Sequence, residues 1–186
     1  MLCPKIKEVR ALCFFEELKR VFSVADCITA QTAMAIVHLS QYRVWQYFQM
    51  LAEAGLIEIH KVKKGPVYIY LYCLAGRKPE KVYIYSGRRA YLIRLKDVIK
   101  ALEEILKSFN TYTAIVRIRR FKDMLNLPNT AIIGLILKHM VISVIKDAII
   151  REEVRDNSNI YSTVLVVDKE KALKLIEEYK RGSSFS

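Results

Sequence analysis

Along the first twenty-two residues, Ile6, Val9, Cys13, Leu18, Val21 and Phe22 recur at roughly three- and four-residue steps, as one buried helical stripe requires. Pro4 suits a first helical turn, so the pattern predicts a helix over Lys5–Phe22. A β-prone link, Val24–Ile28, follows, and Thr29 can cap a short helix, Ala30–His38, with Ala33, Ile36 and Val37 inward. After a tight turn at Leu39-Ser40, Ser40 is placed to cap a third helix in which Val44, Phe48 and Leu51 share one face. Gly55 suits the left-handed turn that ends it. Leu56–Val62 and Val67–Leu74 are then expected as strands, with Lys63-Lys64-Gly65-Pro66 as their turn.

The second half is patterned differently. Lys78-Pro79-Glu80 is a break and Lys81–Tyr85 a further short strand. From Ser86 or Gly87 the spacing predicts a long helix, because Leu92, Leu95, Ile99, Leu102, Leu106 and Phe109 alternate three and four apart. A hairpin turning at Gly87-Arg88-Arg89 competes for its first turns. Thr113–Ile118 then reads as a strand, Arg120–Asn126 as a short helix, and Asn129 as the cap of a helix reaching Asp147. Ile149–Val154 and Ile160–Val167 form a hairpin across Asp156–Asn159, and Asp168 caps a last helix, Lys169–Lys180. The Thr130–Ile145 stretch is apolar nearly all round, so it must be covered on both sides. It is expected to pack against the other half or a second subunit, with Ile136 and Met140 in the contact beside Leu92, Leu95, Ile99, Leu102 and Leu106.

The order helix, helix, helix, basic hairpin, with Ser40, Val44, Phe48, Leu51 and Gly55-Leu56-Ile57 at these spacings, resembles winged helix-turn-helix regulators of the MarR-like type over residues 5–74. The expected fold is α+β, mainly helical: tandem winged-helix units joined by a long helix. The division would be a DNA-binding domain at 1–80, a linking or dimerising helix at 81–110, and a second, diverged winged-helix-like domain at 111–186.

Charge agrees with a polyanionic partner. The 186-residue chain carries 31 Lys and Arg against 19 Asp and Glu, a formal +12, shared as +7 over residues 1–90 and +5 over 91–186. The resemblance implies that the first turns of the third helix read bases, which here means Gln41, Tyr42, Arg43 and Gln46, with Gln49 nearer the groove edge. Arg pairs with guanine and Gln with adenine in the major groove. Phosphate contacts fall to Ser40, to Lys61, Lys63 and Lys64 on the wing, and to Arg119 and Arg120 of the dense run Arg117–Lys122. Solvated helix polarity and edge-protecting lysines are the plainer readings of the same residues. Trp45, next to Val44, is assigned to the core boundary, and Tyr68, Tyr70 and Tyr72 to packing.

Scattered Cys3, Cys13, Cys27 and Cys73 have no metal-site spacing and read as buried thiols of a reducing cytosol, with a thermophile disulfide as the alternative. The composition leans towards a thermophilic archaeon, or one of its plasmids or viruses. No signal peptide is read at Met1–Pro4, and Lys138, His139, Lys146 and Asp147 interrupt the most apolar stretch, so no membrane partner is expected. His38, His60 and His139 stand apart, and no phosphate loop or catalytic motif occurs. The expectation is therefore a non-enzymatic, cofactor-free protein that binds double-stranded DNA as a homodimer on the nucleoid in the cytoplasm, regulating transcription or maintaining the genome. A tandem winged-helix protein scaffold and a single-strand binder using the tyrosine face are the alternatives.

Overall fold

The computed structural model describes residues 7–64, 67–154 and 159–183, without the side chains of Lys7, Glu8, Lys63, Lys64, Val67 and Ser183. The expected helix start at Pro4-Lys5, the Gly65-Pro66 tip and most of the Asp156–Asn159 turn lie outside them. The fold is α+β, and the chain divides into two units, Met1–Arg94 and Leu95–Ser186.

In the first unit, α1 (Lys7–Phe22) is followed by β1 (Cys27–Thr29), α2 (Ala30–Val37) and α3 (Gln41–Glu53). The hairpin β2 (Ile57–Lys64) and β3 (Val67–Leu74) comes next, then a second hairpin, β4 (Lys81–Ser86) and β5 (Arg89–Arg94). Strand order is β2-β3-β1-β4-β5, with β1 antiparallel to β3 and parallel to β4. The Thr29 side chain caps α2 by accepting from the Thr32 backbone N–H, and the Thr32 hydroxyl in turn bridges the Tyr83 carbonyl and the Tyr85 N–H. That buried threonine pair fastens the second helix to β4. His38, at φ 53°, closes α2 in the left-handed conformation and redirects the chain into α3.

Phe14, Leu18, Ile28, Val44, Phe48, Leu51, Ile57 and Tyr72 form the core between the helices and one sheet face. Phe48 stacks on Tyr72 at 3.9 Å between ring centroids, which locks α3 to β3. The Cys27–Cys73 disulfide staples β1 to β3 across directly paired residues. Cys13 is also disulfide-bonded, so the expected buried thiols give way to the disulfide alternative.

The helix expected from Arg88 is a hairpin up to Arg94. Gly87, at φ 62°, occupies the first position of a two-residue turn between paired Ser86 and Arg89, a turn that needs positive φ there. Val82, Ile84 and Ile93 are buried at alternate strand positions. The apparent heptad is thus a strand running directly into a helix, and residues 81–110 are not one linking helix.

The second unit contains α4 (Leu95–Lys107), β6 (Thr113–Arg117), α5 (Ile118–Met124), α6 (Ala131–Ile145), β7 (Ile149–Val154), β8 (Thr163–Asp168) and α7 (Lys169–Ser183). Single 3₁₀ turns lie at Lys146–Ala148 and Ile160–Ser162. Its sheet order, β6-β8-β7, places the first strand against the third, as β1 lies against β3. Helix, strand, helix, helix, strand, strand is therefore the opening order of both units. Thr130, not Asn129, caps α6. α4, α5, α7 and both 3₁₀ turns pack on α6. This explains how a nearly all-apolar helix is covered inside its own unit. Lys138, the charged residue buried on it, pairs with Glu152 of β7.

Candidate nucleic-acid interface

α3 has an anchored side and a free side. Val44 and Phe48 are fully buried and Leu51 is 1% exposed, so the helix cannot roll about its axis without breaking the core. Gln41, Tyr42, Trp45, Gln46 and Gln49 follow the i, i+1, i+4, i+5, i+8 spacing that forms one stripe. On that stripe Tyr42 is 66% and Trp45 45% exposed. Their rings stack with centroids 6.5 Å apart and planes inclined by 27°. Gln46 Nε2 donates to the Tyr42 hydroxyl at 2.9 Å. Trp45 is thus an outward residue, not the core-boundary residue that its neighbour Val44 suggested. Ser40 stands at the N-cap with its side chain unused for capping and exposed.

Arg43 is exposed but turned about 100° around the helix from Tyr42. It lines a groove of about 300 Å³ with Arg10, Cys13, Phe14 and Glu17 of α1, Val37 and Leu39, and Tyr47. Arg43 therefore borders the stripe, one turn before Gln46, on the side that meets α1.

On the hairpin, Ile57, Ile59 and Lys61 share a sheet face with Tyr68, Tyr70, Tyr72 and Leu74. The core end of that face packs under the helices, and its outer end carries exposed Lys61 and Tyr68. The Lys61 ammonium lies 4.0 Å from the centre of the Tyr68 ring and 5.9 Å from that of Tyr70. Lys63 and Lys64 continue the β2 backbone opposite Tyr68 and Val67. Burial pushes the Tyr72 phenol up to about 12, and desolvation with neighbouring Tyr68 also raises Tyr70. Both stay protonated near neutrality, which suits packing and stacking and opposes a nucleophilic role.

Among the described residues the second unit shows no counterpart of this stripe. Its third helix, α6, is buried from Ile133 to Lys138 and again at Met140, Val141, Val144 and Ile145. Arg117, Arg119 and Arg120 are exposed where β6 enters α5, while Lys122 pairs with Asp123 at 2.8 Å. Its hairpin carries Glu152 and Glu153 where β2 carries lysines. Glu103 pairs with Lys107 and Lys180, at 2.8 and 2.5 Å.

The residues expected at a dimer or interdomain contact are placed otherwise. Leu95, Ile99, Leu102 and Leu106 of α4, with Ile136 and Met140 of α6, are at most 6% exposed within the single chain. Leu92 lies on β5, paired with Tyr83. The six buried side chains are core residues, and a second copy has no access to them.

No helix among the described residues is long and apolar enough to cross a membrane, and no cluster of three metal-binding side chains occurs among them. The interface thus belongs to a two-unit α+β chain with one outward polar-aromatic helix and one basic hairpin. No family model and no curated protein matches the chain. It is similar in structure to a hypothetical protein from Pyrobaculum spherical virus, with a TM-score of 0.50, 13% identity, and coverage of 86% of this chain and 97% of that one. At that identity the likeness is one of fold alone.

Proposed function

We propose that the first unit is a winged helix-turn-helix that binds double-stranded DNA, with α3 in the major groove and the β2–β3 hairpin against neighbouring phosphates. The observation that carries this reading is the Gln41–Tyr42–Trp45–Gln46–Gln49 stripe, exposed at Gln41, Tyr42 and Trp45 and half-buried at Gln46 and Gln49, on a helix fixed from behind by Val44, Phe48 and Leu51. An α-helix of this kind fits the major groove, and amide side chains can both donate to and accept from base edges there. Ser40, Lys61, Lys63 and Lys64 supply hydroxyl and ammonium donors to the backbone. Arg43, at the edge of the stripe between Gln46 and the groove that Arg10 also lines, joins them as a phosphate contact.

The second unit has the same element order, a second winged helix in this reading, but contributes affinity through Arg119 and Arg120 instead of base recognition. The protein is then a sequence-preferring, non-enzymatic regulator or genome-maintenance factor. A symmetric pair of subunits would have to meet outside the α4 and α6 core positions. Exposed Tyr68 beneath Lys61 gives single-strand binding a specific foothold as the second reading, since bases stack on such rings.

A titration of random duplex and single strand at several salt concentrations tests the proposal. Duplex affinity should fall with salt, and each of Lys63→Ala, Lys64→Ala and Arg43→Ala should flatten the log–log slope by about 0.9. These variants should weaken all sequences alike. Salt-independent binding, or tighter binding to single strands, would reject duplex DNA as the ligand.

A further inference from the structure

We infer that the α3 stripe prefers A·T pairs, with the Tyr42–Trp45 ring pair as a contact for thymine methyl groups. This rests on the duplex reading above and names the base class of the same surface.

The chemistry follows from what the stripe contains and lacks. In the major groove guanine is bound best by the paired donors of Arg or by Lys, adenine by Gln or Asn, and the thymine methyl by apolar surface. The stripe holds three glutamines and two aromatic rings, and no Arg or Lys. The one arginine of α3, Arg43, borders the stripe at Gln46, on the side that lines the α1 groove. Glu53, a possible acceptor for cytosine, lies in the last turn, about 18 Å along the axis from Gln41. That places it at the far end from the turns that enter a groove.

The aromatic pair also needs an explanation that solvent does not give. Tyr42 and Trp45 are both exposed large side chains, at 66% and 45%, yet they are ordered against one another by stacking. The Tyr42 hydroxyl takes one of the two N–H groups of Gln46 Nε2. The other N–H and the Oε1 of that amide remain to donate to adenine N7 and accept from adenine N6. A thymine methyl beside that adenine meets the ring faces. Holding the amide through the tyrosine reduces the side-chain freedom that binding would otherwise remove.

Alternating dA–dT, dA–dU and dG–dC duplexes of equal length, compared by fluorescence anisotropy at one salt concentration, test the inference. Uracil differs from thymine only by the methyl group, so dA–dT should bind about fourfold tighter than dA–dU per methyl contacted. The dG–dC duplex should bind more weakly than either. Trp45→Ala should remove most of the thymine–uracil difference while still binding dA–dU. Tyr42→Phe, which keeps the ring, should retain the difference. Equal affinity of the unaltered protein for dA–dT and dA–dU, or a preference for dG–dC, overturns the inference and leaves duplex binding standing. Failure to bind any of the three duplexes at low salt removes the duplex reading itself.

Discussion

Replacing Gly134 by alanine sets two opposed effects against each other in the second unit. Gly134 lies four residues into α6, where alanine should favour the helix by about 1 kcal/mol. A Cβ there would stand 2.3 Å from Ile160 Cγ2 and 3.2 Å from both Ile160 Cγ1 and Tyr161 Cζ. Carbon atoms pack at about 3.5–4.0 Å, so Ile160 must retreat by more than about 1 Å and Tyr161 by a few tenths of an ångström. Neither has room to do so cheaply. Ile160 is β-branched and stiff at χ1. Tyr161 is held through its hydroxyl, which donates to the Thr130 carbonyl at 2.8 Å and lies 3.3 Å from that of Pro128. Overpacking of this kind costs about 1–3 kcal/mol, and two resistant neighbours put it near the upper end. The net loss is about 2 kcal/mol after the helix gain. For a unit of this size that lowers its melting temperature by roughly 8–16 °C. Differential scanning calorimetry provides the measurement. Gly182→Ala in α7, where no atom lies within 4 Å, is the control and should be neutral or slightly stabilising. An unchanged or higher melting temperature for Gly134→Ala would refute the close seating of Ile160–Tyr161 on α6. It would equally weaken the argument that α6 is sealed and reads nothing.

Two further outcomes follow from the structure. Reduction of the Cys27–Cys73 bond, which spans a sequence separation of 46, should cost about 4 kcal/mol on the chain-entropy estimate; an unchanged denaturant midpoint for the reduced protein would contradict it. Glu103 has its pKa lowered by hydrogen bonds from Lys107 and Lys180, so its contribution is full above the unfolded value of 4.5 and fades as pH falls through the lower folded one. Glu103→Gln should therefore be less stable than the parent at neutral pH, with the gap closing in acid. A gap constant from pH 7 to 2 in urea titrations would show the ion pairs to be irrelevant.

The elements of the first unit were legible because several signals coincide there. Thr29 precedes a helix, Val44, Phe48 and Leu51 keep helical spacing, and Gly55 supplies a positive φ of 70° where the helix ends. The Arg88–Arg94 segment misled because strand residues Leu92 and Ile93 adjoin a true amphipathic helix, and their spacing extends its period backwards. Gly87 was the available signal, and apolar periodicity outweighed it. α6 was correctly expected to be covered on all sides, but sequence pattern does not say by what. A helix coated by its own unit and one coated by a partner have the same composition. Trp45 was misplaced because a large ring beside Val44 suggests burial, whereas its angular position falls with Gln41 and Tyr42. The cysteine pairing was hidden for a related reason. Cys27 and Cys73 meet only through the β1–β3 register, which no local spacing records.

That cross-link has a mechanical consequence for the hairpin. Strand register is ordinarily maintained by which side chains prefer the interior, so changes near the tip of a long arm invite slippage. Here the root of the arm is riveted two residues before the cap of α2. Load applied at the lysine-bearing end cannot shear β3 past β1 and passes into the segment that leads to α2. Substitutions around the tip are thereby freed from keeping the β1–β3 alignment. The arm can vary in charge and length while the seat of β3 against β1 is preserved.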